Sequence, residues 1–260
     1  MKQNKTNFIE WNSSVLISSF RKIDFNLLMI VILDSAFYLM AASSYFLWDK
    51  FMKAKAAAVN LPSDPSELAN LLTTLGPEKA QVVAAQIKSY FFLLVFSFIL
   101  LIILVIFLAS IFKSIIWAKT TKTKITLKSM SDFLLLNLIW MGFWTVITFL
   151  ISYLIQPQSV PVFFLIIFVL GIYFTNILYP DFLQNRSLKS IGKSLKLGIA
   201  KIHLFILPTV LIFLVFFILL WATSKIIFNY SFFVSDLILI IYAALVRYYA
   251  SELTIEAAKR

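Results

Sequence analysis

The chain has 260 residues, 61% of them hydrophobic and 13% charged, with a formal net charge of +11 and a mean hydropathy of +0.93. That balance excludes an ordinary soluble domain and leaves little length for anything beside one membrane domain. With no cysteine, disulfides, thiol chemistry and Cys-ligated metal are excluded, and positive charge set beside apolar runs points to anionic lipid headgroups and not to nucleic acid.

Residues 1–25 are too polar for a signal peptide and read as an N-terminal interfacial amphipathic segment. Phe8, Trp11, Leu16, Phe20 and Ile23 fall at mostly helical spacing with Arg21 and Lys22 among them. Such a helix lies in the membrane interface with Trp11 at headgroup depth, or serves only as a lead-in to the first span. That span is predicted at 26–48 and carries Asp34.

The 49–88 connection reads as a small helical cap. Ser63-Asp64-Pro65-Ser66-Glu67 has the residues of a helix start, Leu68, Leu71, Leu72 and Leu75 share one face, and Gly76-Pro77 ends that helix and opens the next. The next helix runs through Lys88 into the run SYFFLLVFSFILLIILVIFLASIF at 89–112, which is uncharged between Lys88 and Lys113. This run exceeds the ~20 residues a helix needs to cross a ~30 Å hydrocarbon layer. Further spans are predicted at 132–155, 161–180, 203–228 and 231–250. Pro161 and Pro180 bracket the fourth, Pro208 kinks the fifth, and the fifth and sixth join tightly near Asn229-Tyr230. The predicted fold is therefore all-α and polytopic, with a six-span membrane domain over 26–250 and a cytoplasmic tail over 251–260.

Orientation follows from the basic residues. Lys2, Lys5, Arg21 and Lys22 precede the first span, Lys113, Lys119, Lys122, Lys124 and Lys128 fill the 113–131 connection, and Arg186, Lys189, Lys193, Lys196 and Lys201 fill 181–202. The 156–160 connection has none. This alternation places both termini and the basic connections on the cytoplasmic side of a cell membrane and the 49–88 cap outside. Leu127-Lys128-Ser129 and Leu188-Lys189-Ser190 each open a basic stretch before a span, a match that duplication or chance explains. In the second stretch Leu188, Ile191, Leu195, Ile199 and Ile202 form an apolar stripe, and Arg186, Lys189, Lys193 and Lys196 form a basic one suited to lipid contact.

The amphipathic lead SFRKIDFNLLMIVILDSAFYL and the basic segment SLKSIGKSLKLGIAKI give the chain an architecture that resembles the uncharacterised six-span membrane proteins of archaea and low-GC bacteria. The resemblance implies a polytopic α-helical domain and carries over no active-site residue.

Polar residues inside spans cost free energy and each calls for a partner or a function. Asp34, Asn137, Asn176, His203, Asp236 and Arg247 are the candidates. At ~1.5 Å per residue, Asp34 lies ~12 Å in from Asn26 and Arg247 ~5 Å in from Ala250, while Asp236 sits toward the other side. The depths favour pairing of Asp34 with Arg247, if tilt or an extended side chain closes a gap of ~7 Å. Two readings stand: an ion, proton or substrate site in the cytoplasmic half, or interhelical hydrogen bonds with Arg247 reaching for the interface. A single histidine, no HExxH and no Gly-rich phosphate loop leave no catalytic, metal or cofactor residue to name. The function expected is non-enzymatic, a membrane-embedded binding or organising protein whose basic segments meet anionic headgroups, a protein partner or a second copy of the chain. The alternative is a small-molecule or ion permease using the polar cluster.

Overall fold

The structure is a computed structural model that describes residues 8–59, 76–226 and 231–260. Among these residues it has eight α-helices and no strand: α1 (Phe8–Arg21), α2 (Asn26–Ala58), α3 (Pro77–Thr121), α4 (Leu127–Leu154), α5 (Val160–Asn185), α6 (Ser190–Ala200), α7 (Ile202–Thr223) and α8 (Ser231–Lys259). Six of them, α2–α5, α7 and α8, are long and apolar enough to cross a membrane, so the protein is an all-α polytopic membrane protein. The predicted cap helix after Asp64 and the tight join at Asn229-Tyr230 lie outside the described residues.

The chain divides into two units, one made of 1–36 and 110–260 and the other of 37–109. In the second unit the far part of α2 meets the near part of α3. Trp48 Nε1 donates to Ser97 Oγ at 3.0 Å, the Trp48 ring lies 5.6 Å from Phe98, and Phe91, Phe92, Phe96 and Ile99 point outward. As predicted, the helix that begins at Pro77 runs without a break through Lys88 and the uncharged run. With 45 residues α3 is about 67 Å long, well beyond a ~30 Å hydrocarbon layer, so its ends stand clear of it.

In the first unit the buried side chains come from the stretches beside the basic connections. Trp117, Phe133, Trp140, Tyr179 and Phe182 form one aromatic core between α3, α4 and α5. Trp11, Val15, Tyr173, Phe205 and Leu253 join α1, α5, α7 and α8 in another, and Ile30, Ile116, Ala244 and Tyr248 join α2, α3 and α8 in a third. Beyond these cores, large apolar side chains such as Phe149, Leu165, Val210 and Phe217 are exposed.

Several boundaries differ from those read in the sequence. Pro161 does start α5, but Pro180 does not end it: the helix continues to Asn185. Proline removes one N–H and so leaves the carbonyl four residues back, that of Asn176, without its helical donor. Thr254 Oγ1 of α8 donates to that carbonyl at 3.5 Å, which is how a helix between other helices tolerates an interior proline. The 251–260 segment, read as a tail, is helical to Lys259. It buries Ser251, Glu252, Leu253, Thr254 and Ala257, because α1 packs along it. The two similar stretches 127–129 and 188–190 also part company. Thr126 and Ser129 form a reciprocal capping box (3.1 and 2.8 Å) that starts the long α4, whereas Ser190 starts a short helix that breaks at Lys201.

The packing face of α6 combines Ile191 and Leu195, which lie against the aromatic core, with a row of small residues. Ser190, Ser194 and Gly198, four residues apart, are buried, while Leu188, Ile199 and Ile202 are exposed. Small residues let the backbone of α6 come close to α5, where Tyr173 OH donates to Gly198 O at 2.8 Å. A Cβ at Gly198 would lie 2.8 Å from Phe174 Cε1 and 3.1 Å from Ile177 Cδ1. Gly198→Val is therefore expected to lower stability by about 1–3 kcal/mol through overpacking. Gly142→Ala, with no atom within 4 Å of the new Cβ, is expected to be neutral or to stabilise α4 by up to ~1 kcal/mol. Thermal unfolding of both variants in one detergent checks the contrast.

Candidate functional site

Asp34 is one of the acids the sequence places inside a span, and the structure gives it three donors. α2 carries Asp34, fully buried, into contact with Arg247 of α8 and Lys113 of α3. Arg247 donates from Nη1 to Oδ2 and from Nη2 to Oδ1 (3.1 Å), and Lys113 Nζ donates to Oδ1 at 2.7 Å. The fork of the guanidinium matches the two carboxylate oxygens, an arrangement that a lysine does not reproduce. The depth gap reckoned from sequence took Ala250 as the end of the helix. Because α8 continues to Lys259, Arg247 sits in its middle and meets Asp34 directly.

Lys113 was not among the residues the sequence reading singled out; it was counted with the basic connection. The signal was present, since Lys113 directly follows the uncharged run on a helix that does not stop there. One carboxylate between two cations leaves the group with a net positive charge.

The other candidates are dispersed. Asn137 of α4 is buried beside α3 and α5, accepting from Tyr179 OH at 2.7 Å and donating to Ser110 Oγ at 2.9 Å. Asn176 takes part through its backbone carbonyl, as above, and its side chain borders a cavity of about 20 Å³ between α5, α7 and α8, room for about one water. His203 is exposed on the first turn of α7. Asp236 is half-buried and makes no hydrogen bond or ion pair with the described residues. The structure thus brings Asp34 and Arg247 together and leaves Asn137, Asn176, His203 and Asp236 apart from them.

Around this group other acids pair at the basic end of the first unit. Glu252 of α8 accepts from Lys22 and, at 2.8 Å, from Ser18 of α1. Asp181 of α5 pairs with Lys193 of α6 at 2.8 Å. Asp24 caps α2 by accepting from Asn26 N at 3.0 Å and pairs with Lys122 at 2.9 Å. The hydrogen bond from Lys122 is the main cause that holds the Asp24 carboxyl below its ordinary range. A depressed folded value means this pair adds stability above the unfolded carboxylate pKa and loses it as pH falls through the folded one.

The four candidate lipid-contacting residues lie along α5's end and α6. Arg186 closes α5 in the left-handed region (φ 48°), a conformation that usually selects glycine, and its Nη2 donates to Lys124 O at 2.6 Å. Lys189 and Lys196 are exposed, and Lys193 is exposed while reaching Asp181. No protein-family model, curated protein or solved structure matches the chain.

With both carboxylate oxygens bonded to protein donors, Asp34 acts as a link between α2, α3 and α8. Asp34→Asn leaves the buried Arg247 and the partly buried Lys113 without a counter-charge and is expected to cost about 3–5 kcal/mol. Arg247→Gln should cost less, because Lys113 still faces the carboxylate. The Asp34→Asn/Arg247→Gln double variant should lose less than the sum, a coupling of ~0.5–3 kcal/mol in a thermal-unfolding cycle. Strictly additive losses would mean that the two residues stabilise the protein independently.

Proposed function

We propose that the protein is a non-enzymatic, membrane-embedded binding and organising protein whose basic end rests on the cytoplasmic leaflet and gathers anionic phospholipid. The observation that carries this reading is the division of α6 into faces. Ser190, Ser194 and Gly198 face α5, Leu188 and Ile199 form an exposed apolar edge, and Lys189, Lys193 and Lys196 form an exposed basic edge. A helix that offers protein, hydrocarbon and headgroup contacts on successive faces fits the interface of a bilayer. Helix α1 supports it: Trp11 and Val15 are buried, while Ile9, Leu16, Ile17 and Phe20 point outward beside Arg21 and Lys22. Arg21, Lys124, Lys128, Lys189 and Lys196 add charge at the same end without an acid partner among the described residues.

A permease using the polar cluster has less support. Asp34 and Asn137 direct their side chains at protein groups, and neither borders the cavities lined by α5 and α7.

The test uses the full chain in nanodiscs. Each Lys or Arg near an anionic surface contributes about 1 kcal/mol. Raising the phosphatidylglycerol fraction should raise the unfolding temperature, salt should weaken the effect, and Lys189→Gln/Lys196→Gln should reduce it. Equal stability in neutral and anionic discs overturns the reading. The orientation is checked separately with single cysteines at Ser187 and Ser224, both in a chain that has no native cysteine. They should label from opposite sides of intact cells, Ser187→Cys from inside.

A further inference from the structure

Toward the other end of α7 a groove of about 680 Å³ lies between α5 and α7. Leu165 and Val169 of α5 form one wall, and Val210, Leu214, Phe217 and Trp221 of α7 form the other. α7 carries Pro208 in its interior, and beyond it Tyr242 OH of α8 donates to Ile212 O at 2.6 Å. The segment past Pro208 meets α8 on one side and borders the groove on the other.

We propose that this groove holds one acyl chain of a phospholipid from the leaflet opposite the basic end, with the lipid phosphate against Lys225. Three observations select this occupant. From Val210 to Trp221 the α7 wall is ~17 Å long, close to the depth of one leaflet in a ~30 Å hydrocarbon layer. At the end of the wall Lys225 Nζ stands 5.8 Å from the Trp221 ring, an aromatic and a cation at headgroup level. Lys225 is exposed and has no acid partner among the described residues, so it is available to a phosphate. A helix from a second copy fits less well. Close helix approach in lipid uses small residues, and this wall presents Val, Leu, Phe and Trp. A flexible hydrocarbon chain conforms to such a surface and restores the dispersion contacts that an unfilled groove forfeits.

The experiment is native mass spectrometry of the full-length protein in detergent after addition of phosphatidylglycerol. The wild type should retain one phospholipid through delipidation. Val210→Trp/Leu214→Trp, which fills the groove from exposed positions, should lower that occupancy about tenfold or more, and Lys225→Gln should lower it while leaving the unfolding temperature of the delipidated protein unchanged. Because the double variant can fail to fold, a phosphatidylglycerol with brominated acyl chains is also applied to the wild type. It should quench a fluorescence component that Trp221→Phe removes. Occupancy unchanged by groove filling, quenching that survives Trp221→Phe, or a wild-type dimer that groove filling splits would each overturn the proposal. None of these outcomes depends on the basic end, so they separate this inference from the reading of α6.

Discussion

A carboxylate inside an apolar bundle has to be neutralised where it sits, and the way Asp34 is neutralised determines which helices meet. Its oxygens take donors from α3 and α8 at once, through Lys113 and both terminal nitrogens of Arg247. Removing hydrocarbon contacts between helices costs little in lipid, since acyl chains are as apolar as leucine. Losing a partner of a buried charge costs several kcal/mol. The polar link therefore fixes the register of α2 against α3 and α8, and the third apolar core, with Ile30, Ile116 and Tyr248, packs around that register.

The same logic explains where the packing is concentrated. Ion pairs at Glu252, Asp181 and Asp24, the hydrogen-bonded Asn137, and the Tyr173–Gly198 contact all belong to the basic end, and the aromatic cores lie among them. Farther along the helices the side chains are large, apolar and turned outward, as suits segments whose solvent is hydrocarbon. α5 and α7 are packed together around Tyr173, Ile177, Leu204 and Phe205, and the groove opens between them beyond that cluster.

Much of the architecture was legible in the sequence because a membrane span is a property of local composition. The uncharged 89–112 run, Pro161 at the start of a helix and the basic connections each declare themselves within a few residues. What composition does not carry is tertiary satisfaction. Pro180 reads as a stop until Thr254, distant in sequence, supplies the missing donor. Residues 251–260 read as a tail because Ser251, Glu252 and Thr254 are polar, and only the packing of α1 and α5 gives them partners. The apolar stripe of α6 is shared between the core, where Ile191 and Leu195 pack, and the outside, where Ile199 is exposed; the small residues that bring its backbone close to α5 carry no apolar signal. In the candidate site, depth counting matched Asp34 with Arg247 only across a gap that arose from ending the helix at Ala250. It did not find Lys113, and it grouped Asn137, Asn176 and His203, which sit on three different helices.

The link between α2 and α8 also bears on how the protein is made. Arg247 follows Asp34 by 213 residues, an interval of roughly 10–40 s at ~5–20 residues per second of synthesis. Through that interval the ribosome has delivered an acid to the membrane without its bidentate partner; Lys113, 79 residues behind Asp34, arrives first. The surface of α1 that bears Trp11 and Val15 waits as long for Leu253 and Ala257. A nascent chain in this condition displays an under-compensated charge within the bilayer and an uncovered amphipathic helix at its edge. The arrival of α8 compensates the charge and covers the helix together.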